Sequence, residues 1–307
     1  MKKKLLWLLL LVVCVVIFPL TAKETKAETE GDWEYSYRYG SGVSIDSYNG
    51  TDENVVVPEK LGGEDVVAIL NNAFSGNKTV KTVKLPSTVT EIRYEAFSGC
   101  TSLSEITIPS SVTDIGNGAF TGTKWLSDKQ KANPYVVING ILIDVSKAGT
   151  NLNIPATVKE ISCNVPKDVV SVTIPSSMTE IDTDMFADCT SLKKITIPSS
   201  VTDIGIGAFS GCTSLTEITI PSSVINIRWK AFLGCTSLKE ITIPSSVINI
   251  ENETFSGCTS LSKITIPSSV TNIGEEAFAG TKWLSDKQKA NPYVVINGIL
   301  IDMSKAG

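Results

Sequence analysis

Hydrophobic and polar positions follow a repeating unit that is clearest between Ser98 and Phe120. In this unit Ile106 and Ile108 flank the polar Thr107, and such alternation is typical of a β-strand with one buried face. A proline follows at once, and proline cannot donate a backbone hydrogen bond to a neighbouring strand. The pattern therefore predicts a short strand that ends at the same point of every unit.

The unit recurs every 23 residues, and phenylalanine and proline mark this spacing independently. Phenylalanine stands at positions 74, 97, 120, 186, 209, 232, 255 and 278, and proline at 86, 109, 175, 198, 221, 244 and 267. One such unit cannot bury its own apolar face, so its stability must come from stacking on its neighbours. We therefore predict a solenoid whose repeated strands form one parallel sheet, at residues 83–85, 106–108, 172–174, 195–197, 218–220, 241–243 and 264–266.

The rest of each unit predicts the opposite side of the same turn. Val112 and Ile115 point inward from a second short extended stretch, and Phe120 packs beneath a tight turn. Glycine tolerates the positive φ that such a turn requires. We expect this conformation at glycines 99, 211, 234 and 257.

Residues 28–60 precede the regular units and carry a different pattern. Trp33, Tyr35 and Tyr37 alternate with polar residues, as in a strand with one covered face, and residues 55–57 resemble a first rung. An open solenoid end would expose both the core and unpaired strand edges. We therefore expect residues 28–60 to form an N-terminal β cap, with repeats at 61–122 and 152–280.

Residues 123–151 interrupt the repeats, and residues 281–307 carry a second copy of this insertion. Each copy predicts a short helix that a proline ends, and then two strands around Asn-Gly, which favours a tight hairpin. Where they overlap, the copies differ only in Val145 against Met303. Because the first copy continues into further repeats, we expect the second to be truncated; a frayed natural terminus is the alternative.

Residues 1–27 have the composition of an export signal. Three lysines at positions 2–4 precede an almost unbroken apolar run from Leu5 to Leu20, and Thr25 to Ala27 offer small residues for cleavage. We expect this signal peptide to be removed, so that the protein is secreted or at the cell surface and has no inserted segment. An uncleaved membrane anchor is the alternative, because the run approaches the length that spans a bilayer.

Composition narrows the possible chemistry. The chain has no histidine, which removes the commonest general base and metal ligand. The residues after position 27 comprise 22 basic and 31 acidic side chains. Such an acidic surface is poorly suited to phosphate groups, so we expect no nucleic-acid partner. We also expect no cofactor, no metal and no catalytic residues, and a monomeric protein.

The cysteines and one acidic stretch each allow two interpretations. Four of the six cysteines after the leader, at 189, 212, 235 and 258, are spaced by 23 residues. Their side chains would run parallel into the core, which favours buried free thiols over disulfides. Cys163 lies outside this row, and we expect it to be the one to test for reactivity. The acidic residues at 180, 182, 184 and 188 could bind calcium, but they lack the spacing of a dedicated loop.

The unit C-T-S-L-x-x-I-T-I-P-S-S-V-T-x-I-G-x-x-A-F-x-G closely resembles the BspA-like leucine-rich repeats of bacterial and some protozoan surface proteins. The resemblance covers roughly residues 55–307. It implies a β-rich leucine-rich-repeat solenoid with a parallel sheet on one face and short turns or helical turns on the other. It also implies surface exposure and binding to host matrix proteins or other cells. Asn77 and Asp188 depart from the consensus, and no sorting motif is present, so the mode of attachment is open.

Exposed positions that vary while the core stays fixed are the candidates for partner binding. One group flanks the repeated strand and the other precedes Ala-Phe, where a tryptophan between basic residues has the makeup of a contact hot spot. The candidates are Arg93, Tyr94, Lys193, Lys194, Arg228, Trp229 and Lys230. They favour a non-catalytic module that binds an extracellular or host matrix protein or another cell surface. A passive spacer that displays other domains is the alternative.

Overall fold

The computed structural model describes residues 27–303 of the 307-residue chain. The predicted leader lies outside the described residues except for Ala27. The described chain forms a parallel β-solenoid of about ten turns, as the sequence pattern predicts. Neither helix in residues 27–303 is long and apolar enough to cross a bilayer.

The solenoid begins with an antiparallel sheet of β1 (Glu28–Glu30), β2 (Trp33–Tyr37) and β3 (Val43–Tyr48). β3 then pairs in parallel with β6 (Glu64–Ile69), which also pairs with β5 (Lys60–Leu61) in antiparallel fashion. The sheet thus joins the first turns directly through its backbone. That residues 28–60 act as a cap stays a prediction.

Three-residue strands line one side of the solenoid, which we call face A. They form three separate parallel sheets. The strands of the first sheet are β4 (Asn54–Val56), β7 (Thr82–Lys84) and β9 (Glu105–Thr107). The second sheet consists of β13 (Asn151–Asn153), β15 (Ser171–Thr173) and β17 (Lys194–Thr196). The third consists of β20 (Glu240–Thr242) and β22 (Lys263–Thr265). The prediction of one continuous sheet is therefore wrong, and each strand begins one residue earlier than predicted.

The two breaks in face A differ, because only the first coincides with an insertion. The first insertion separates β9 from β13. At the second break, residues 217–219 form no strand, although their sequence is the same as that of β9. Ile218 and Ile220 nevertheless remain buried, each 8% exposed. At this rung the strand pairing is interrupted while the core stays packed.

Mostly two-residue strands line the second side, face B. Each ends at the isoleucine of the second extended stretch, and in most turns a threonine precedes the strand. Its strands after β6 are β8 (Glu91–Ile92), β10 (Asp114–Ile115), β14 (Glu160–Ile161), β16 (Glu180–Ile181), β18 (Asp203–Ile204), β19 (Asn226–Ile227), β21 (Asn249–Ile250) and β23 (Asn272–Ile273). The run from β16 to β23 is one five-stranded parallel sheet. Its isoleucines enter the same core as those of face A.

The core is a column of equivalent side chains. Phe209 stacks on Phe186 and Phe232, with ring centroids 5.5 and 5.3 Å apart, and all three are fully buried. The burial of the periodic phenylalanines is thereby confirmed. Positive φ is also confirmed at the predicted turn glycines, for example 71° at Gly211 and 68° at Gly234.

Each insertion contains the predicted helix and hairpin. The elements of the first copy are α1 (Lys124–Ala132), β11 (Val136–Ile138) and β12 (Ile141–Asp144), and those of the second are α2 (Lys282–Ala290), β24 (Val294–Ile296) and β25 (Ile299–Asp302). Asn139 and Gly140 form the first hairpin turn with φ of 51° and 90°. β12 contributes to two hydrophobic clusters. Ile141 packs into the N-terminal cluster, and Leu142 packs into the C-terminal cluster.

Candidate binding surface

Trp229 lies in the turn that follows β19 on face B. The next residue, Lys230, has a left-handed backbone with φ of 59°. The same conformation recurs at the equivalent position of other turns, at residues 95, 118, 184, 207, 253 and 276. The turn is therefore a standard part of the repeat, and only its side chains are specific to this rung.

Two acidic residues of the following turn hold Trp229. Its backbone N–H donates to Glu251 at 2.8 Å, and its indole N–H donates to Glu253 at 3.3 Å. Lys230 places its Nζ 4.4 Å from the centre of the indole ring, within cation–π range. The side chain is still 42% exposed. The ring is thus both accessible and restricted in orientation.

Arg228 is paired with carboxylates. Its Nε and Nη2 donate to Asp203 of the preceding turn at 3.1 and 3.0 Å. Glu251 of the following turn lies 3.8 Å away. The hydrogen bonds to Asp203 raise the pKa of Arg228 above its ordinary value. We call Asp203, Arg228, Trp229, Lys230, Glu251 and Glu253 the Trp229 surface.

Arg93 and Tyr94 occupy the equivalent turn several rungs away. Arg93 contacts Glu91 at 2.5 Å and Asp114 at 3.4 Å. Burial alone would raise the pKa of Glu91, but hydrogen bonds from Arg38 and Arg93 bring it below the ordinary value. Tyr94 is 49% exposed. Both candidate groups on face B therefore present an exposed aromatic side chain beside an arginine that is paired with carboxylates.

Lys193 and Lys194 lie on face A, apart from the other candidates. Both side chains are exposed, and Lys194 belongs to β17. Lys194 lines an open groove of about 720 Å³ at the unpaired residues 217–219, together with Glu240 and Lys263. This groove could not be predicted from the sequence, because residues 217–219 repeat the pattern of β9.

Two exposed isoleucines also escaped sequence reasoning. Ile225 and Ile248 are each 52% exposed on adjacent turns of face B. Other turns carry threonine at this position, for example Thr113 and Thr202. The exchange of threonine for isoleucine on two successive turns was a visible signal of an apolar patch.

A family model for BspA-type leucine-rich repeats matches residues 53–165 and 166–285, in six copies. Together these segments make up most of the chain. The chain belongs to the BspA-type leucine-rich repeat family. Among curated proteins, no relative matches it.

Solved structures similar to this family member come from several bacteria. A leucine-rich cell surface protein from Faecalibacterium prausnitzii is 24% identical, with 83% of this chain and 92% of that chain covered and a TM-score of 0.39. A leucine-rich repeat protein from Bacteroides ovatus is 25% identical, with 82% and 80% covered and a TM-score of 0.32. One from Eubacterium ventriosum is 20% identical, with 83% and 94% covered and a TM-score of 0.42.

The repeat cysteines of this BspA-type chain are buried free thiols, as predicted. Each thiol donates to a backbone carbonyl of an earlier turn, for example Cys212 to Phe186 at 3.1 Å and Cys235 to Phe209 at 3.2 Å. The structure does not favour Cys163 as a reactive thiol. It is only partly exposed, and burial raises its pKa to about 12. Its thiolate, the nucleophilic form, is therefore scarce at neutral pH.

The acidic stretch of this chain runs along a single turn of the solenoid. Glu180 lies in β16, whereas Asp184 occupies the left-handed turn position, with φ of 54°. Burial raises the pKa of Asp182. Within residues 27–303, no group of three His, Cys, Asp or Glu side chains is arranged to hold a metal ion.

Proposed function

We propose that this chain is a non-catalytic binding module of the cell exterior, which attaches to an extracellular protein or another cell surface through the Trp229 surface. The observation that carries the proposal is the fixed yet exposed indole of Trp229. Aromatic side chains that offer a large contact area and lose little freedom on binding are enriched at the energetic centre of protein interfaces.

The surroundings of Trp229 support a protein partner over a phosphate-rich one. Arg228 and Lys230 both pair with carboxylates, at 3.0 Å to Asp203 and 3.6 Å to Glu253. Their charges are thereby offset within the surface itself. A polyanion would gain little from these cations, whereas a protein surface can match the mixture of ring, donors and acceptors.

The solenoid supports this proposal by its shape. Rungs about 4.8 Å apart present equivalent positions in rows, so about ten turns give a long binding face. Interfaces of ordinary size bury roughly 800 Å² on each partner, which several adjacent turns can supply. We therefore propose a large partner and a monomeric binding module that is secreted or held at the cell surface.

The test is a binding screen of immobilised residues 28–307 against extracellular matrix glycoproteins and intact cells. Trp229→Ala should weaken the affinity by at least about 30-fold, as truncation of a hot spot of about 2 kcal/mol does. Tyr39→Ala is the matched control, because Tyr39 is a fully exposed aromatic residue outside the candidates. It should leave binding unchanged.

A Lys193→Glu/Lys194→Glu variant tests face A separately. Under this proposal, it should change affinity less than Trp229→Ala does. Loss of binding only in the lysine variant would move the interface to the face A groove. If no partner binds above background, the spacer function should replace the binding function.

A further inference from the structure

Exposed large apolar side chains are concentrated on three successive rungs of face B. Ile206 is 41% exposed, Trp229 is 42% exposed, and Ile225 and Ile248 are each 52% exposed. Ile206 lies one repeat before Trp229, and Ile225 lies one repeat before Ile248. Among the described residues before the second insertion, these four belong to a total of seven exposed large apolar side chains. They therefore form a patch and are not scattered single residues.

The fold does not require isoleucine at positions 225 and 248. The flanking turns carry Thr202 and Thr271 at the same position, and both threonines are exposed. The backbone pairing is the same in either case. The N–H of Ile225 donates to the Thr202 carbonyl at 2.8 Å, and that of Thr271 donates to the Ile248 carbonyl at 2.9 Å. The two isoleucines thus add exposed apolar surface to a position that the fold fills equally well with threonine.

The two faces of the same five turns carry opposite charge. On face B, the stretches from the residue before each strand to the left-handed turn residue contain eight acidic and two basic side chains, a net charge of −6. These stretches are 179–184, 202–207, 225–230, 248–253 and 271–276. The matching stretches of face A contain four basic and two acidic side chains, at 170–173, 193–196, 216–219, 239–242 and 262–265. A cationic partner is therefore drawn to face B and away from face A.

The acidic side chains of face B outnumber the cations that pair with them. Arg228 and Lys230 pair with three of the eight carboxylates. On the turns before them, negative charges crowd one another, because burial raises the pKa of Asp182 and the charge of Glu180 raises it further. Burial and then neighbouring carboxylates also raise the pKa of Glu160. Cations supplied by a partner would relieve this repulsion.

We propose that the Trp229 surface and the neighbouring Ile225 and Ile248 together receive a basic polypeptide segment in which lysine or arginine accompanies large apolar side chains. The apolar side chains of the partner cover the two isoleucines and the indole ring, and its cations pair with carboxylates on the turns to either side, such as Asp182 and Glu275. The inference rests on the proposed function, because it names the chemistry of the partner at the same surface. A partner without basic groups would bury these carboxylates unpaired, at a cost in affinity.

The probe is a labelled ten-residue peptide of alternating lysine and leucine, titrated into residues 28–307 and followed by fluorescence anisotropy. It should bind saturably, and more weakly as the salt concentration rises. A glutamate–leucine peptide and a lysine–serine peptide each keep one of the two features, and each should bind at least about tenfold more weakly. Equal binding of the lysine–serine and lysine–leucine peptides, or no saturable binding of the latter, would overturn the proposal.

Matched apolar variants locate the site. Ile225→Thr/Ile248→Thr restores the residue of the flanking turns and should weaken binding of the lysine–leucine peptide by at least about tenfold, since two apolar contacts are lost. Val56→Thr changes an exposed apolar residue on face A and should have no effect. Circular dichroism would check that both variants fold. An unchanged affinity in the isoleucine variant would also overturn the proposal.

Matched charge variants separate the local field of face B from the overall charge. Glu275→Gln/Glu276→Gln removes two negative charges from the turn that follows Ile248, and should weaken peptide binding by about threefold to tenfold. Glu217→Gln/Glu240→Gln makes the same change in net charge on face A and should leave binding unchanged. Equal weakening by the two variants would assign the binding to overall charge and contradict a site on face B.

Failure of this inference can be told apart from failure of the proposed function. If Trp229→Ala weakens the binding of a partner from the screen but Glu275→Gln/Glu276→Gln does not, the proposed function stands and the basic partner is wrong. If the lysine–leucine peptide binds through Ile225 and Ile248 but Trp229→Ala leaves every partner of the screen bound as before, the proposed function is wrong and the chemistry inferred for the isoleucines stands.

Discussion

The two insertions are almost the same sequence in two different environments. Both form a nine-residue helix with a threonine cap and both form a hairpin of the same register. They differ in burial, because a further turn covers only the first copy among the described residues. The comparison teaches that local sequence sets the elements of this solenoid, whereas neighbouring turns set how much of each element is buried.

The largest loss of stability should be the same in the two insertions. Phe120 packs against Trp125 in a tilted arrangement with ring centroids 4.8 Å apart, and Phe278 packs against Trp283 in the same way at 4.9 Å. Both phenylalanines are 2% exposed. Phe120→Ala and Phe278→Ala should each lower the free energy of unfolding by about 3–5 kcal/mol, measured by urea denaturation. A small loss at Phe278 alone would mean that α2 does not cover the core there.

The second-largest loss of stability should differ between the two insertions. Leu142→Ala should cost about 2–5 kcal/mol, because it leaves a cavity in a packed core. Leu300→Ala should change the free energy of unfolding by less than about 0.5 kcal/mol, as exposed substitutions do. Urea denaturation of the two variants measures the difference. Equal losses would show that Leu300 is covered in solution.

Loss of either helix cap should again lower stability by the same amount, but by less than the core substitutions do. Thr123 Oγ1 accepts a hydrogen bond from the N–H of Leu126 at 3.0 Å, and Thr281 Oγ1 accepts one from Leu284 at 3.1 Å. Replacement of either threonine by alanine should cost about 1 kcal/mol. Serine at the same position keeps the oxygen and should restore most of the stability in thermal unfolding. A serine variant as unstable as alanine would assign the loss to packing.

The smallest effect concerns pH. Hydrogen bonds from Lys124 and Lys131 lower the pKa of Asp128 from its ordinary value of 3.8 to about 2, and the equivalent lysines lower the pKa of Asp286. A lowered carboxyl pKa stabilises the fold above the ordinary value, and this contribution is lost as pH falls from about 4 to about 2. Because these pairs are exposed, the change in stability should be slight. An NMR titration in which Asp128 has an unshifted pKa would contradict the pairing.

The sequence predicted the structural features that recur in each repeat unit. Phe209, Cys212 and Gly211 return at fixed spacing, so each must meet the same surroundings in every turn. The break at residues 217–219 could not be predicted, because their sequence is that of an ordinary rung. Two rungs with the same three residues therefore differ in strand pairing, and the local pattern cannot distinguish them.

The candidate surface was predicted only in part. Spacing placed Arg228, Trp229 and Lys230 on one exposed turn, and the structure agrees. The partners Asp203 and Glu251 lie 25 and 23 residues from Arg228. Such pairs between turns depend on the stacking register and on side-chain conformers, which a single sequence does not give. The sequence did separate Lys193, which flanks the repeated strand, from Trp229, which precedes Ala-Phe.

Amide hydrogen exchange tests the comparison of the two copies most directly. β12 pairs in parallel with β14 of the following turn, whereas the strand that pairs with β25 among the described residues is β24 of its own hairpin. The account predicts similar protection for α1 and α2, together with markedly slower exchange in 141–144 than in 299–302. Equal protection of the two strands would contradict the claim that neighbouring turns, and not local sequence, decide how firmly each copy is held.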